Sequence, residues 1–114
     1  LSRVENEMVI DNLPFVGRDA GILELIETIS QGSLGMCIVK GSEIGIVTDG
    51  DIRRAIGSYG DSIFSISASN IMTLNPCSTE IGTRMEDALA LMDSRQITML
   101  LIKENGCVVG VLKK

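Results

Sequence analysis

No histidine occurs anywhere in the 114 residues. Its absence removes at once the commonest general base and the commonest transition-metal ligand. Basic residues are scarce as well, 10 against 15 aspartates and glutamates, for a net charge of -5. Arg53-Arg54 is the only adjacent arginine pair and Lys113-Lys114 stands at the very end. With no basic cluster, a nucleic-acid surface is not expected. No apolar run reaches the roughly 18 residues of a membrane-crossing helix, and the opening Leu1-Ser2-Arg3-Val4-Glu5 has no signal-peptide core. The three cysteines, Cys37, Cys77 and Cys107, are too few and too scattered for a disulfide framework. An odd count of this kind suits a reducing compartment. Cys37 and Cys107 sit in apolar, strand-like runs, where a free thiol behaves as a small hydrophobe. The expectation is a soluble cytoplasmic chain with no catalytic residue, no metal site and no required cofactor.

What is present is one pattern written twice. Ile22, Leu25, Ile26 and Ile29 recur at helical spacing, and the apolar run Met36-Cys37-Ile38-Val39 follows the loop Gln31–Gly35. Positions Ile22, Ile26, Ile29 and Met36 reappear 63 residues later as Met85, Leu89, Met92 and Met99. The methionines fall on core positions of that pattern and are read as core. The hairpin loop is expected to be two residues longer in the second copy, because Lys40-Gly41-Ser42-Glu43 becomes Lys103-Glu104-Asn105-Gly106-Cys107-Val108. Each copy thus reads as a short leading strand (near Phe15-Val16 and near Pro76 to Thr79), a helix, and two strands. The first copy adds a helix from Asp51 to Gly57. The stretches Gly60-Asp61-Ser62 and Ser65-Ile66-Ser67-Ala68-Ser69 read as a linker. Domains are expected at 1–64 and 65–114, the second without its closing helix, which would leave apolar surface near Val109 and Val111 bare. The fold class is α/β (α+β): two pseudo-symmetric β-α-β-β-α units.

The chemistry concentrates in Gly45-Ile46-Val47-Thr48-Asp49-Gly50-Asp51-Ile52-Arg53-Arg54, where an apolar strand runs into a polar helix start. Thr48-x-x-Asp51 places a hydroxyl and a carboxylate at a helix N-terminus, whose unpaired N–H groups and dipole attract anions. A carboxylate accepts from a diol, and a hydroxyl with backbone N–H groups donates to phosphate. The same four residues also spell a capping box with no ligand at all. Both readings stand. Gly50 permits close backbone approach, or is a permissive first-turn residue. Arg53, four residues from Asp49, is read as its partner on a solvated face, while Arg54 is left free to reach a phosphate. Asp49 and Asp51 as a catalytic pair lack the further groups that acid–base chemistry requires.

The duplicated unit, with Met72-Thr73-x-Asn75-Pro76 opening the second copy and Gly45-Ile46-Val47-Thr48-x-x-Asp51 closing the first, resembles a tandem cystathionine-β-synthase (CBS) domain pair over nearly the whole chain. More narrowly, Leu34-Gly35-Met36, Thr48-Asp49-Gly50-Asp51-Ile52-Arg53-Arg54 and the opening Leu1-Ser2-Arg3-Val4 resemble the C-terminal CBS pair of bacterial arabinose 5-phosphate isomerases. Those enzymes serve the Kdo pathway of lipopolysaccharide and capsule synthesis. The resemblance implies a regulatory module attached to its own catalytic sugar-isomerase domain, a homodimer of CBS pairs, and no membrane or nucleic-acid partner. It implies that Asp51 meets ribose hydroxyls and Thr48 lies near phosphate. Asp49, Gly50, Arg54 and Thr98 complete the candidate ligand set, with Thr79 a weaker candidate. The implied ligands are CMP-Kdo, on the pathway argument, or an adenine nucleotide (ATP, ADP or AMP), on the general repertoire of such pairs. Two alternatives remain: a structural dimerisation module without ligand, and the CBS pair of a sugar-phosphate nucleotidyltransferase.

Overall fold

The computed structural model describes residues 2–114; Leu1 of the opening tetrapeptide lies outside the described residues. In chain order the elements are α1 (Val4–Glu7), β1 (Phe15–Val16), α2 (Ile22–Gly32), β2 (Met36–Val39), β3 (Gly45–Thr48), α3 (Asp49–Tyr59), a 3-10 turn (Gly60–Ser65), α4 (Ala68–Ile71), β4 (Thr73–Leu74), β5 (Ser78–Glu80), α5 (Met85–Arg95), β6 (Met99–Glu104) and β7 (Cys107–Lys113). They form two compact units. One is Pro14–Pro76; the other joins the segment through Leu13 to Cys77–Lys114. This grouping crosses the sequence repeat, since the segment ahead of each copy folds with the other copy.

In the Pro14–Pro76 unit the sheet order is β1-β2-β3-β4. β1 lies parallel to β2, which pairs antiparallel with β3 so that Met36 opposes Thr48 and Val39 opposes Gly45. α2 turns Ile22, Leu25 and Ile29 inward against Cys37, Val39 and Val47, and α3 adds Ile52 and Ala55. Each such aliphatic side chain contributes about 1.5–3 kcal/mol when fully buried. Burial also pushes the Cys37 thiol up to about 11, as expected of a thiol used as a hydrophobe. Ile26, although on the repeat pattern, is 40% exposed, because the inward stripe of α2 is only three residues wide.

The second unit repeats the plan with β5 parallel to β6 and β6 antiparallel to β7. Val4, Ala88, Met92, Leu100, Ile102 and Leu112 form its core. Helices α2 and α5 both end on a left-handed residue, Ser33 (φ 60°) and Gln96 (φ 54°), 63 positions apart. The repeat is therefore kept in backbone conformation where sequence identity is lost.

Four expectations need correction. The supposed linker is folded: Ile63, Ile66 and Ala68 belong to the first core. The longer second hairpin has a tight turn, not a long loop. Its ladder runs out to Glu104 opposite Cys107, with Asn105 (φ 52°) and Gly106 (φ 80°) at the tip, the left-handed pair that a two-residue turn demands. Cys107, placed beside that tip, is exposed. Val111 is not bare; it is fully buried, with Val9 paired beside it as an antiparallel bridge, and Val109 is half-buried.

Short segments dock through a recurring contact. A Cβ on Gly45 would sit 2.7 Å from Met72 Sδ, and one on Gly110 2.5 Å from Met8 Sδ and 3.0 Å from the Val9 carbonyl oxygen. Gly110→Val is therefore expected to destabilise the fold by about 1–3 kcal/mol. Gly57, inside α3 with open space around it, should do the opposite: Gly57→Ala is expected to stabilise by about 0.5–1 kcal/mol. Denaturant melts of the two variants check both signs.

Candidate functional site

β3 carries Thr48 to its last position, where the backbone stays extended (φ -100°, ψ 166°) and then turns into α3. The Asp51 N–H donates to Thr48 Oγ1 at 3.1 Å, and the Thr48 N–H donates to Asp51 Oδ2 at 2.9 Å. This reciprocal pair is a complete capping box. The Asp49 N–H donates to the Gly35 carbonyl at 3.2 Å. Among the described residues the Gly50 N–H has no protein acceptor, so the first turn keeps one free donor at the positive end of the helix dipole.

Arg54 folds back over that turn. Its Nη2 donates to Asp51 Oδ1 at 2.5 Å, and its Nη1 lies 3.2 Å from where a Cβ on Gly50 would stand. Gly50 thus leaves room for the guanidinium. The Arg54 side chain is 73% exposed and that of Asp51 only 15%, so the pair has one wet and one sheltered end. The expected Asp49–Arg53 pair does not form among the described residues; the ion pair of this helix is Asp51–Arg54. The cause is the shape of the turn, which brings position 54 against the glycine.

Beside this pair opens a groove of about 320 Å³ lined by Asp51, Arg54, Ala55, Ser58, Tyr59, Asn70 and Ile71. Asp51, Arg54, Ala55 and Ser58 share one face of α3 at helical spacing. Asn70 comes from α4, where its Oδ1 accepts the Ser67 N–H at 2.8 Å. That bond occupies the amide oxygen and leaves its two N–H donors without a protein acceptor among the described residues. The sequence pointed to the Thr48–Arg54 end and missed Ser58, Tyr59, Asn70 and Ile71. Extending the face by one turn finds Ser58, but Asn70 is delivered by the folded segment whose sequence reads as a linker.

Thr48, Asp49, Gly50, Asp51 and Arg54 lie together on this turn. Thr98 belongs to the other compact unit, where it is exposed and its carbonyl accepts the Lys114 N–H at 2.9 Å. Thr79 is in that unit too, its hydroxyl engaged with Thr83 Oγ1 at 2.9 Å. Among the described residues no three His, Cys, Asp or Glu side chains cluster to hold a metal ion, and no helix is long and apolar enough to cross a membrane. What the turn and groove offer is a small set of oriented donors and acceptors on a rigid helix start, which is the equipment of a small-molecule binding module.

Residues 4–58 match the CBS domain. Over 98% of its length the chain is 34% identical to the uncharacterized protein RP505 of Rickettsia prowazekii, covering 35% of that protein. It is 32% identical, over 90% of its length, to arabinose 5-phosphate isomerase KdsD of Salmonella typhimurium, covering 32% of that enzyme. The chain therefore spans about a third of the relatives it matches. Among solved structures, CBSX2 in complex with AMP superposes with a TM-score of 0.85 at 20% identity, over 100% of this chain and 91% of that one. The chain carries a match to the CBS domain over residues 4–58, and its fold is that of a tandem CBS module. It resembles a part of the arabinose 5-phosphate isomerases, and the CBS domain itself is non-catalytic.

Removing the N-cap isolates the structural share of this turn. Thr48→Ala is expected to lower stability by about 0.5–2 kcal/mol, read from denaturant melts followed by circular dichroism.

Proposed function

We propose that this chain is the ligand-sensing module of an arabinose 5-phosphate isomerase and that its ligand is a nucleotide or nucleotide sugar. The observation that carries the reading is the pairing of the Asp51 carboxylate with the Arg54 guanidinium on the lining of a groove along a rigid helix, with the free Gly50 N–H in the same first turn. Asp51 has one lone pair on each oxygen taken, by Thr48 and by Arg54; two remain for a ribose diol. Thr48 and Gly50 supply donors near the phosphate. Asp49 stays at the solvent edge.

The isomerase assignment rests on the relatives named KdsD, which favour it over a nucleotidyltransferase parent. The catalytic sugar-isomerase domain then lies in the remainder of the parent, and the pair works in the cytoplasm, where sugar phosphates and nucleotides are made. Adenine nucleotide draws support from the AMP of CBSX2; CMP-Kdo, a product of Kdo activation, would supply feedback. Regulation follows if the ligand binds one arrangement of the parent more tightly than another, since equal affinity for both shifts nothing.

Titration calorimetry of the chain against CMP-Kdo, CMP, ATP and AMP tests this reading. Binding to at least one is expected, weakened about tenfold to a hundredfold or more in Asp51→Ala, which loses charge-assisted hydrogen bonds worth roughly 1.5–3 kcal/mol each. A folded wild-type chain that binds none of the four would overturn it.

A second reading, assembly, has its own observation. Leu23 and Ile26 of α2, Ile56 of α3 and Phe64 of the 3-10 turn are 67%, 40%, 47% and 72% exposed, and these three elements pack on one another. Four exposed apolar side chains on packed elements suit a partner, here a second copy. X-ray scattering over several dilutions should show a dimer that Ile56→Glu with Phe64→Glu returns to monomer; monomer alone in the wild type would count against it.

A further inference from the structure

The Asp51–Arg54 pair has a feature that neither capping nor ribose binding uses. Arg54 projects from the second turn of α3, yet its guanidinium is folded back to the first turn, with Nη1 3.2 Å from the Cβ position of Gly50. A cation held there stands at the positive end of the helix dipole, where charge of that sign is disfavoured. Asp51 holds it by one hydrogen bond. Arginine has five donors in a planar fork, so most of its donor capacity is unspent on a side chain that lines the groove.

We propose that Arg54 is the phosphate-discriminating residue of this site, closing on Asp51 when the groove is empty and turning to the ligand's phosphate when it is filled. This rests on the reading of the groove as a nucleotide site. The exchange is favourable at both ends. Phosphate offers the guanidinium a bidentate partner of higher charge than a carboxylate, and the departing Arg54 leaves Asp51 Oδ1 free to accept a ribose hydroxyl. A nucleoside, which has the diol but no phosphate, shares that oxygen with Arg54 on its one remaining acceptor site and gains no contact with the guanidinium. Without Arg54 the turn presents Asp49 and Asp51 as two carboxylates to an incoming phosphate and repels it. Arg54 therefore favours the phosphorylated ligand over the unphosphorylated one. Gly50 suits the device, because a Cβ there would press on the guanidinium at 3.2 Å and shift it by a few tenths of an ångström.

The test is a calorimetric comparison of AMP with adenosine, and of CMP with cytidine, on the whole chain as wild type, Arg54→Gln and Arg53→Gln. Arg54 is mostly exposed, so the variant should fold, and its melting curve verifies this. Expected is a wild-type preference for the monophosphate of about tenfold or more. That preference should fall to within about threefold in Arg54→Gln, with nucleoside affinity unchanged or higher. Arg53→Gln, which removes the same charge one residue away, should keep the wild-type ratio. A ratio preserved in Arg54→Gln, or a wild type that binds nucleoside and monophosphate equally, overturns the assignment of Arg54 and leaves the nucleotide reading standing. A wild type that binds none of these four probes overturns the assignment of Arg54, and the nucleotide reading falls with it only if CMP-Kdo and ATP fail to bind as well.

Discussion

Where β3 stops and α3 begins is decided by two hydrogen bonds, Thr48 Oγ1 accepting from the Asp51 N–H and Asp51 Oδ2 accepting from the Thr48 N–H. The rest of the unit depends on this turn. It ends the strand at the residue opposite Met36 and starts the helix in the phase that sends Ile52 and Ala55 into the core. The same phase leaves Asp51, Arg54 and Ser58 along the groove. Shifting the helix start by one residue would rotate every one of these side chains by about 100° and exchange core for solvent. The cap therefore does more than satisfy two orphan donors; it sets which face of α3 is chemistry and which is packing.

A second constraint is the close approach of short segments to glycine. Met72 lies over Gly45 and Met8 over Gly110, and beside them run the pairings Thr73–Ile46 and Val9–Val111. Segments of two to four residues cannot hold themselves in place by helical or strand cooperativity. The thioether, flexible and polarisable, fills the hollow a missing Cβ leaves and gives each segment an apolar anchor. The Ser67 N–H donating to Asn70 Oδ1 at 2.8 Å and the Arg3 N–H donating to Asn6 Oδ1 at 3.0 Å complete the attachment. In the Pro14–Pro76 unit the consequence reaches the groove, because the anchored segment is the one that presents Asn70 and Ile71.

How much of this was legible follows from the same physics. Helices α2 and α5 and the strands after them declare themselves because eleven residues carry three turns of apolar spacing, and the 63-residue echo doubles the signal. Thr48-x-x-Asp51 is legible because a cap is local and needs only its own four residues. The segment Gly60–Ile71 is not, since its serines and glycine match a linker while its burial depends on three scattered apolar residues, Ile63, Ile66 and Ala68. Asn70 was hidden for that reason. The Arg54 fold-back was hidden for another: Asp49–Arg53 has the better helical spacing, but only position 54 faces the gap over Gly50.

The capping and ligand-binding readings of Asp51 are usually set against each other, and here they need not compete, because they use different atoms. Oδ2 is committed to the Thr48 N–H and sets the helix start; Oδ1 faces Arg54 and the groove. A carboxylate can serve both ends at once since it has about four acceptor sites and no proton to place. The cap also orients the group: with Oδ2 tied to the backbone, the direction of Oδ1 is fixed before any ligand arrives, and little side-chain entropy remains to be lost on binding. Thr48 cannot be divided in this way, for its one hydroxyl oxygen already accepts from Asp51 and has only its single proton to offer outward. The carboxylate is therefore the group on which structure and recognition can both rest, and the threonine chiefly serves to aim it.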